Sequence, residues 1–188
     1  FVGDRHTVLL SASGNRTLAT DVLTVDQGFL HLRDTWSFSD PWATYVFLQA
    51  DHNAFRSMQL RNLAGAGVQR RLWRTEWTEA TLGTSLMGEY QLLTEGAEDE
   101  DAGLHARSSS FLTLAFAGDW GVAASTTFFQ PRVDLPSNLR LYEELSLTLH
   151  LTEHLDWNAV GRVEWDRDPP EGREAVDLTA STGVVASF

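Results

Sequence analysis

The chain has 188 residues, a formal net charge of −12 and no cysteine. This length suits one domain with a sizeable core, and we expect a single domain over residues 1–188. The negative charge argues against nucleic-acid binding, and the lack of cysteine excludes disulfides and thiolate metal sites. No apolar run approaches the roughly 18 residues of a membrane-spanning helix, so the chain could cross a membrane only as a closed β-barrel.

Apolar residues recur at every second position along the chain, which is the period of a β-strand. The clearest case runs from Leu139 to Leu151, where leucines occupy one face, polar residues occupy the other, and Glu143 is the single gap. No segment has a helical period, so the sequence predicts an all-β protein. The pattern predicts about ten strands, over residues 5–13, 20–38, 43–53, 58–71, 77–92, 105–118, 121–131, 138–151, 155–167 and 174–188.

The predicted connections alternate between two kinds. Short turns are predicted at residues 39–41, 74–76, 118–119 and 152–154, and longer polar loops at 14–19, 52–57, 94–104, 131–137 and 168–173. Short turns at one end and long loops at the other are typical of an outer-membrane barrel. The predicted fold is therefore an antiparallel up-and-down transmembrane β-barrel of about ten strands.

Tryptophan placement supports this prediction. Six of the seven tryptophans lie within a few residues of the short turns. Aromatic rings with a polar edge favour the membrane–water interface, where barrels carry them as girdles. The alternative is that several of them are core residues beside turns. The predicted girdle consists of Trp36, Trp42, Trp73, Trp77, Trp120, Trp157 and Phe188.

If the apolar face meets lipid, the other face lines a lumen. The predicted lumen-facing polar residues are Arg33, Arg61, Glu89, Arg140, Glu144, Arg162, Glu164 and Asp177. Charges inside a narrow barrel must pair or stay hydrated, so we expect an ion-pair network that fills the interior. A selective pore lined by these charges is the alternative. One specific hypothesis is that Arg162, Glu164 and Asp177 pair across adjacent strands.

Three other motifs resemble catalytic or metal sites, but the sequence around them does not predict the structure that such sites need. Residues 150–154 fit the His-x-x-Glu-His pattern of zinc proteases, but that site needs a helix, and here a rim turn is predicted. Ser108–Ser110 and His105 could supply parts of a hydrolase, but nothing pairs them into a triad. The acidic run 95–101 predicts a solvated loop, or loose Ca²⁺ or Mg²⁺ bridging to lipopolysaccharide. We expect no catalytic residue, metal or cofactor.

Three stretches of the chain are similar to one known family. The stretch from Gly161 to Phe188 looks like its C-terminal hairpin, in which a strand ends in an acidic Asp-Pro-Pro loop and the final strand ends in an aromatic residue. Ser13-Gly14-Asn15 resembles its early hairpin, and residues 36–67, ending Ala-Gly-Ala-Gly, resemble its middle section. The family is DUF481, a group of salt-induced outer-membrane proteins.

The resemblance implies a Gram-negative outer-membrane barrel without an established enzymatic activity, in contact with outer-membrane lipid and lipopolysaccharide. The terminal Phe188 resembles the signal read by the outer-membrane assembly machinery, which would be a partner during biogenesis. Family members often have more sequence before the Ser-Gly-Asn hairpin. We therefore expect a trimmed product, with a first strand or plug segment missing, and strand counts of 8 or 12 stay open.

The function predicted from the sequence is structural, a small pore or an interaction module, without catalysis. Two alternatives remain open. One is a soluble lipocalin-like barrel that binds a small apolar ligand, which would place the apolar face inside. The other is an outer-membrane lipid-modifying hydrolase.

Overall fold

Ten β-strands form one antiparallel sheet in which each strand pairs with the next along the chain. The structure is a computed structural model that describes residues 5–19, 22–53, 58–93, 103–169 and 174–186. The sheet curls into a half-barrel, and within these ranges no pairing joins β1 to β10. The strands are β1 (His6–Ala19), β2 (Val22–Ser39), β3 (Trp42–Asn53), β4 (Met58–Arg74), β5 (Thr78–Leu93), β6 (Gly103–Gly118), β7 (Gly121–Pro131), β8 (Leu139–Thr152), β9 (Leu155–Asp166) and β10 (Val176–Ala186).

The all-β, up-and-down arrangement of about ten strands is confirmed. The loop predicted at residues 14–19 is wrong, because β1 stays paired with β2 as far as Ala19, with one register shift between Thr17 and Leu18. Ser13, Gly14 and Asn15 are common turn residues, but pairing with the long strand β2 outweighs that local preference. The loop predicted at residues 131–137 is confirmed as the connection between β7 and β8. The centres of the three remaining predicted long loops, at residues 54–57, 94–102 and 170–173, lie outside the described residues. No helix in the described ranges is long and apolar enough to cross a membrane.

The two faces of the sheet have opposite character, and β5 shows this most clearly. Its odd-numbered residues from 83 to 91 are buried on the concave face, whereas its even-numbered residues from 82 to 92 are exposed on the convex face. Leu86 is 60% exposed, and Glu89 is 1% exposed. The largest fully buried side chains in the described ranges are Arg107, Glu89 and Asn138. The sheet therefore buries charge and exposes aliphatic side chains.

An aromatic layer crosses the concave face. It consists of Tyr45 and Phe47 on β3, Phe111 on β6, Phe128 on β7 and Tyr142 on β8. The ring centroids of Tyr45 and Phe111 are 5.9 Å apart, those of Phe111 and Phe128 are 5.6 Å apart, and those of Phe128 and Tyr142 are 5.7 Å apart. Such spacings are within the range of favourable ring contacts. The layer is thus continuous from β3 to β8.

Glycines on β4 and β5 make this continuity possible. Tyr45 and Phe111 lie three strands apart, a separation of about 14 Å at the usual strand spacing. A Cβ on Gly67 would lie 2.6 Å from the Tyr45 ring, and one on Gly83 would lie 2.2 Å from the Phe111 ring. Both contacts are too short for any side chain. The two rings therefore meet because they lie directly over glycine backbone.

Candidate functional site in the concave cavity

The concave face encloses a cavity of about 950 Å³ to which every strand contributes lining residues. The structure places all eight residues of the predicted lumen-facing set along this cavity: Arg33, Arg61, Glu89, Arg140, Glu144, Arg162, Glu164 and Asp177. Each of them lies on the face of its strand that the period-two alternation predicts. The cavity also contains the aromatic layer, so its wall combines charged and aromatic groups.

A buried ion cluster, here called the rim cluster, lies toward the long-loop end of the cavity. It consists of Glu89, Arg107, Asn138, Arg140 and Asp166. The Glu89 carboxylate accepts hydrogen bonds from Arg107 Nε and from Arg140 Nη1, both at 2.6 Å. Arg140 Nε donates to Asp166 Oδ2 at 2.8 Å, and Arg107 Nη2 donates to Asn138 Oδ1 at 2.7 Å. Two arginines and two carboxylates thus balance one another.

The rim cluster joins strands that are not neighbours in the sheet. Glu89 lies on β5 and Arg140 on β8, so their contact crosses the interior. The side chains of Arg107, Glu89 and Arg140 are 0%, 1% and 7% exposed. Charge-assisted hydrogen bonds of this kind are short and strong, and burial would penalise them if either partner were missing. The cluster therefore ties β5, β6, β8 and β9 together on the inside.

Two further groups of charges line the same cavity. Arg61 Nε is 3.3 Å from Asp51 Oδ2, and Arg61 Nη1 is 3.9 Å from Glu164 Oε1. Because Arg61 is on β4 and Glu164 is on β9, this second contact also crosses the interior. On the opposite wall Arg162 Nε donates to Glu144 Oε2 at 2.7 Å.

The hypothesis that Arg162, Glu164 and Asp177 pair with one another is wrong for Arg162. Its carboxylate partner is Glu144, because the register of β8 and β9 sets these two residues directly opposite each other. Asp177 lies opposite Glu164 in the β9–β10 register, so two acids are neighbours there. The three residues do line the same cavity.

Arg33 occupies the middle of the cavity, against the aromatic layer. Its guanidinium carbon lies 4.0 Å from the centroid of the Tyr45 ring and 5.3 Å from that of Phe111. It donates from Nη2 to the amide oxygen of Gln69. Its Nε is buried and has no hydrogen-bond partner among the described residues. The cation is therefore held mainly by ring faces.

Sequence reasoning did not find Arg107, Asn138 or the aromatic layer. Alternation along β6 could have placed Arg107 inside, since it has the same parity as Phe111 and the opposite parity to the outward Leu112. The aromatic layer depends on contacts over Gly67 and Gly83, which join strands distant in sequence. No local pattern predicts such contacts.

The other candidate motifs do not form sites in the described ranges. The His150 and Asp156 side chains are 2.8 Å apart, and residues 150–154 form the end of β8 and a turn, as predicted. Ser110 faces outward, bonded to Thr84, whereas His105 has the opposite parity. No group of three His, Asp or Glu residues that could hold a metal occurs in the described part of the chain. The acidic run at residues 95–101 lies outside it.

The tryptophans of the predicted girdle lie at the short-turn edge of the sheet. Trp36, Trp42, Trp73, Trp77 and Trp120 are all at least 40% exposed, and Trp157 is half-buried. Trp42 is stacked under Arg70, with 5.3 Å between the guanidinium carbon and the ring centroid. Phe188 lies outside the described residues.

The connection between β7 and β8 carries an ion pair at the long-loop edge. Arg132 donates to both carboxylate oxygens of Asp134, at 3.0 Å and 2.6 Å. These hydrogen bonds lower the pKa of Asp134 to about 2. The carboxylate is therefore charged over the whole physiological range.

Comparison with known proteins gives one match. The family described as "Protein of unknown function, DUF481" matches residues 2–188. A search of curated proteins found no match, and neither did a search of solved structures.

Proposed function

Because this chain belongs to the DUF481 family, matched over residues 2–188, we propose that it is an integral outer-membrane β-barrel of Gram-negative bacteria without catalytic activity. The observation that carries this proposal is the inverted polarity of the sheet. Its convex face exposes Leu86, Val46 and Leu48 by 56–60%, while its concave face buries Glu89 and Arg107 almost completely. A transmembrane barrel has this arrangement, with apolar residues toward lipid and polar residues inside.

The inverted polarity also argues against the soluble, lipocalin-like alternative. Such a barrel would fill its interior with apolar side chains and present polar ones to water. Here the interior holds the rim cluster, whereas the exposed aliphatic side chains extend over several adjacent strands. Contiguous exposed apolar surface of this kind marks a membrane or protein contact.

The interior supports a structural or interaction role, or at most a small pore. The rim cluster connects β5 with β8, and Arg61 reaches Glu164, so side chains bridge the interior at the long-loop end. The aromatic layer crosses it at a second level. A barrel of about ten strands is of the size that side chains can largely fill. Wide porin-like conduction is therefore not expected.

The edges of β1 and β10 must be paired in the membrane, since an unpaired backbone group in lipid costs several kcal/mol, on the order of 2–7. In a ten-stranded up-and-down sheet the two strands run antiparallel, so they can pair directly and close the barrel. The chain contains no native cysteine, so pairs of cysteines introduced along β1 and β10 can report on this closure. Cross-linking at matched positions in the folded protein is the expected result.

The proposal is tested by comparing the refolded protein with and without detergent or lipid vesicles. We expect a compact form that needs an amphiphile to stay monodisperse, and that migrates faster on a gel before heating than after. A protein that is monodisperse and folded without detergent would contradict the membrane assignment. Planar-bilayer recordings then separate a small pore from a closed barrel, and the absence of current supports a closed one.

A further inference from the structure

Arg33 differs from the other arginines that line the cavity. Arg61, Arg140 and Arg162 each contact a carboxylate, at 3.3, 2.8 and 2.7 Å. Within the described ranges Arg33 has no carboxylate partner, and its side-chain hydrogen bond goes to the neutral amide of Gln69. Its Nε is buried without an acceptor. One cation in the lining is therefore not balanced by a neighbouring acid.

The surroundings of Arg33 favour an anion as its missing partner. A guanidinium has five N–H donors, and a partly desolvated cation is costly unless an anion or water satisfies them. The faces of Tyr45 and Phe111 stabilise the cation but accept no strong hydrogen bond. The planar fork of donors matches the two oxygens of a carboxylate.

The cavity suggests the rest of the ligand. Its volume of about 950 Å³ lies within the range of small-molecule sites, and it is lined by Phe47, Phe128 and Tyr142 beside Arg33. An aromatic ligand could make offset ring contacts with this layer. Glu164 and Asp177 on the β9–β10 wall disfavour additional negative charge. A single carboxylate on an aromatic body fits these features.

We propose that the concave cavity binds a small aromatic monocarboxylate, with the carboxylate on Arg33 and the ring against the aromatic layer. The proposal depends on the cavity and not on the membrane, so it would hold equally in a soluble barrel. Its failure would leave the membrane assignment intact, and failure of the membrane assignment would leave this proposal intact.

The test is a titration of the refolded protein with 4-fluorobenzoate, followed by fluorine NMR at low ionic strength. We expect saturable binding by the unaltered protein. The neutral analogue 4-fluorobenzamide should bind at least about tenfold more weakly, since it cannot form the charge-assisted hydrogen bonds of a carboxylate with the guanidinium. This comparison needs no variant, so it does not depend on how substitutions affect folding.

Variants then test whether Arg33 is the residue that binds the carboxylate. Arg33→Gln should weaken 4-fluorobenzoate binding at least about tenfold, and Arg33→Lys should give an intermediate loss because it keeps the charge without the fork. Arg70→Gln is the charge-matched control, because Arg70 is exposed, stacks on Trp42 and does not line the cavity. It should change binding by less than about twofold. Far-ultraviolet circular dichroism and tryptophan fluorescence show that each variant is folded.

Three outcomes would overturn the proposal. The first is an absence of saturable binding by the unaltered protein. The second is equal binding of the benzoate and the benzamide, which would indicate an apolar site without anion recognition. The third is unchanged binding by folded Arg33→Gln, or an equal loss in Arg70→Gln.

Discussion

The replacement of Leu86 by arginine tests most directly which solvent the convex face meets. Leu86 is 60% exposed and lies near the centre of β5, on the same face as Tyr90. Its register neighbours, Ala66 on β4 and Ser108 on β6, are small and uncharged. An arginine at this position meets no steric or charged obstacle in the protein itself. The loss of folding free energy that it causes therefore depends on whether lipid or water surrounds the convex face.

The magnitude follows from the depth of Leu86 in the sheet. The 13 residues that separate Trp77 from Tyr90 span about 30 Å along the membrane normal, at about 3.3 Å per residue and a tilt near 45°. Leu86 is then within about 6 Å of the midpoint between these two aromatic residues. Arginine on the lipid face costs roughly 2–4 kcal/mol at the midplane and 0–1 kcal/mol near the interfaces. We expect a loss of about 2–3 kcal/mol.

The matched control is Leu92→Arg. Leu92 lies on the same strand and the same face, is 40% exposed, and comes two residues after Tyr90. It should cost less than about 1 kcal/mol in a bilayer. Urea titration of folding into lipid vesicles, followed by tryptophan fluorescence, gives both values. If the two substitutions cost the same, within about 0.5 kcal/mol, the convex face meets water, as is usual for exposed positions.

Three further substitutions or titrations test the interior and the loop edge. Glu89→Gln removes the carboxylate that holds Arg107 and Arg140, and should lower the free energy of unfolding by about 3–5 kcal/mol in urea titration. The control is Glu144→Gln, whose partner Arg162 is half-exposed, and it should lower that free energy by less than about 1 kcal/mol. Equal losses would mean that the rim cluster is hydrated. Gly83→Ala places a Cβ 2.2 Å from the Phe111 ring and should cost about 1–3 kcal/mol. Gly88→Ala, on the same strand with no atom within 4 Å of its Cβ, should be neutral or stabilising, and a neutral Gly83→Ala would contradict the close ring contact. Hydrogen bonds from Arg132 lower the pKa of Asp134 to about 2, below the usual value near 3.9. Any contribution of this ion pair to stability is therefore fully present above about pH 4 and is lost as the pH falls through about 2. Carbon NMR of the Asp134 carboxyl should show this titration, and a midpoint near 4 would mean that the ion pair with Arg132 does not form in solution.

The fold could be predicted from the sequence because strand alternation is a local signal. Each strand carries its own period of two, and short connections make sequential antiparallel pairing the expected topology. The error at residues 14–19 has the same origin, since turn propensity is also local and was outweighed by the long partner strand β2. The face assignment of Arg140 and Glu144 followed from the same alternation.

The pairing inside the cavity could not be predicted in this way. Glu89 and Arg140 are 51 residues apart, and their contact depends on the curvature of the sheet. Arg33 meets Phe111 only because Gly67 and Gly83 let the rings lie low over β4 and β5. Alternation tells which face a side chain is on, but the partner across the interior is set by strand tilt and curvature.

Glu143, the gap in the leucine series of β8, at first argues against a lipid-facing convex surface. Its carboxylate accepts hydrogen bonds from Ser125 at 2.6 Å and from Thr127, both on the convex face of β7. Its depth resolves the difficulty. Leu141, two residues nearer the long loops, is the register partner of both Phe129 and Trp165, so two aromatic side chains lie at its depth. Glu143 is therefore about 5 Å from these aromatic residues along the barrel axis, where a carboxylate costs little. In the proposed membrane barrel, the interruption therefore marks the edge of the apolar band, and the leucines from Leu145 to Leu151 mark the band itself.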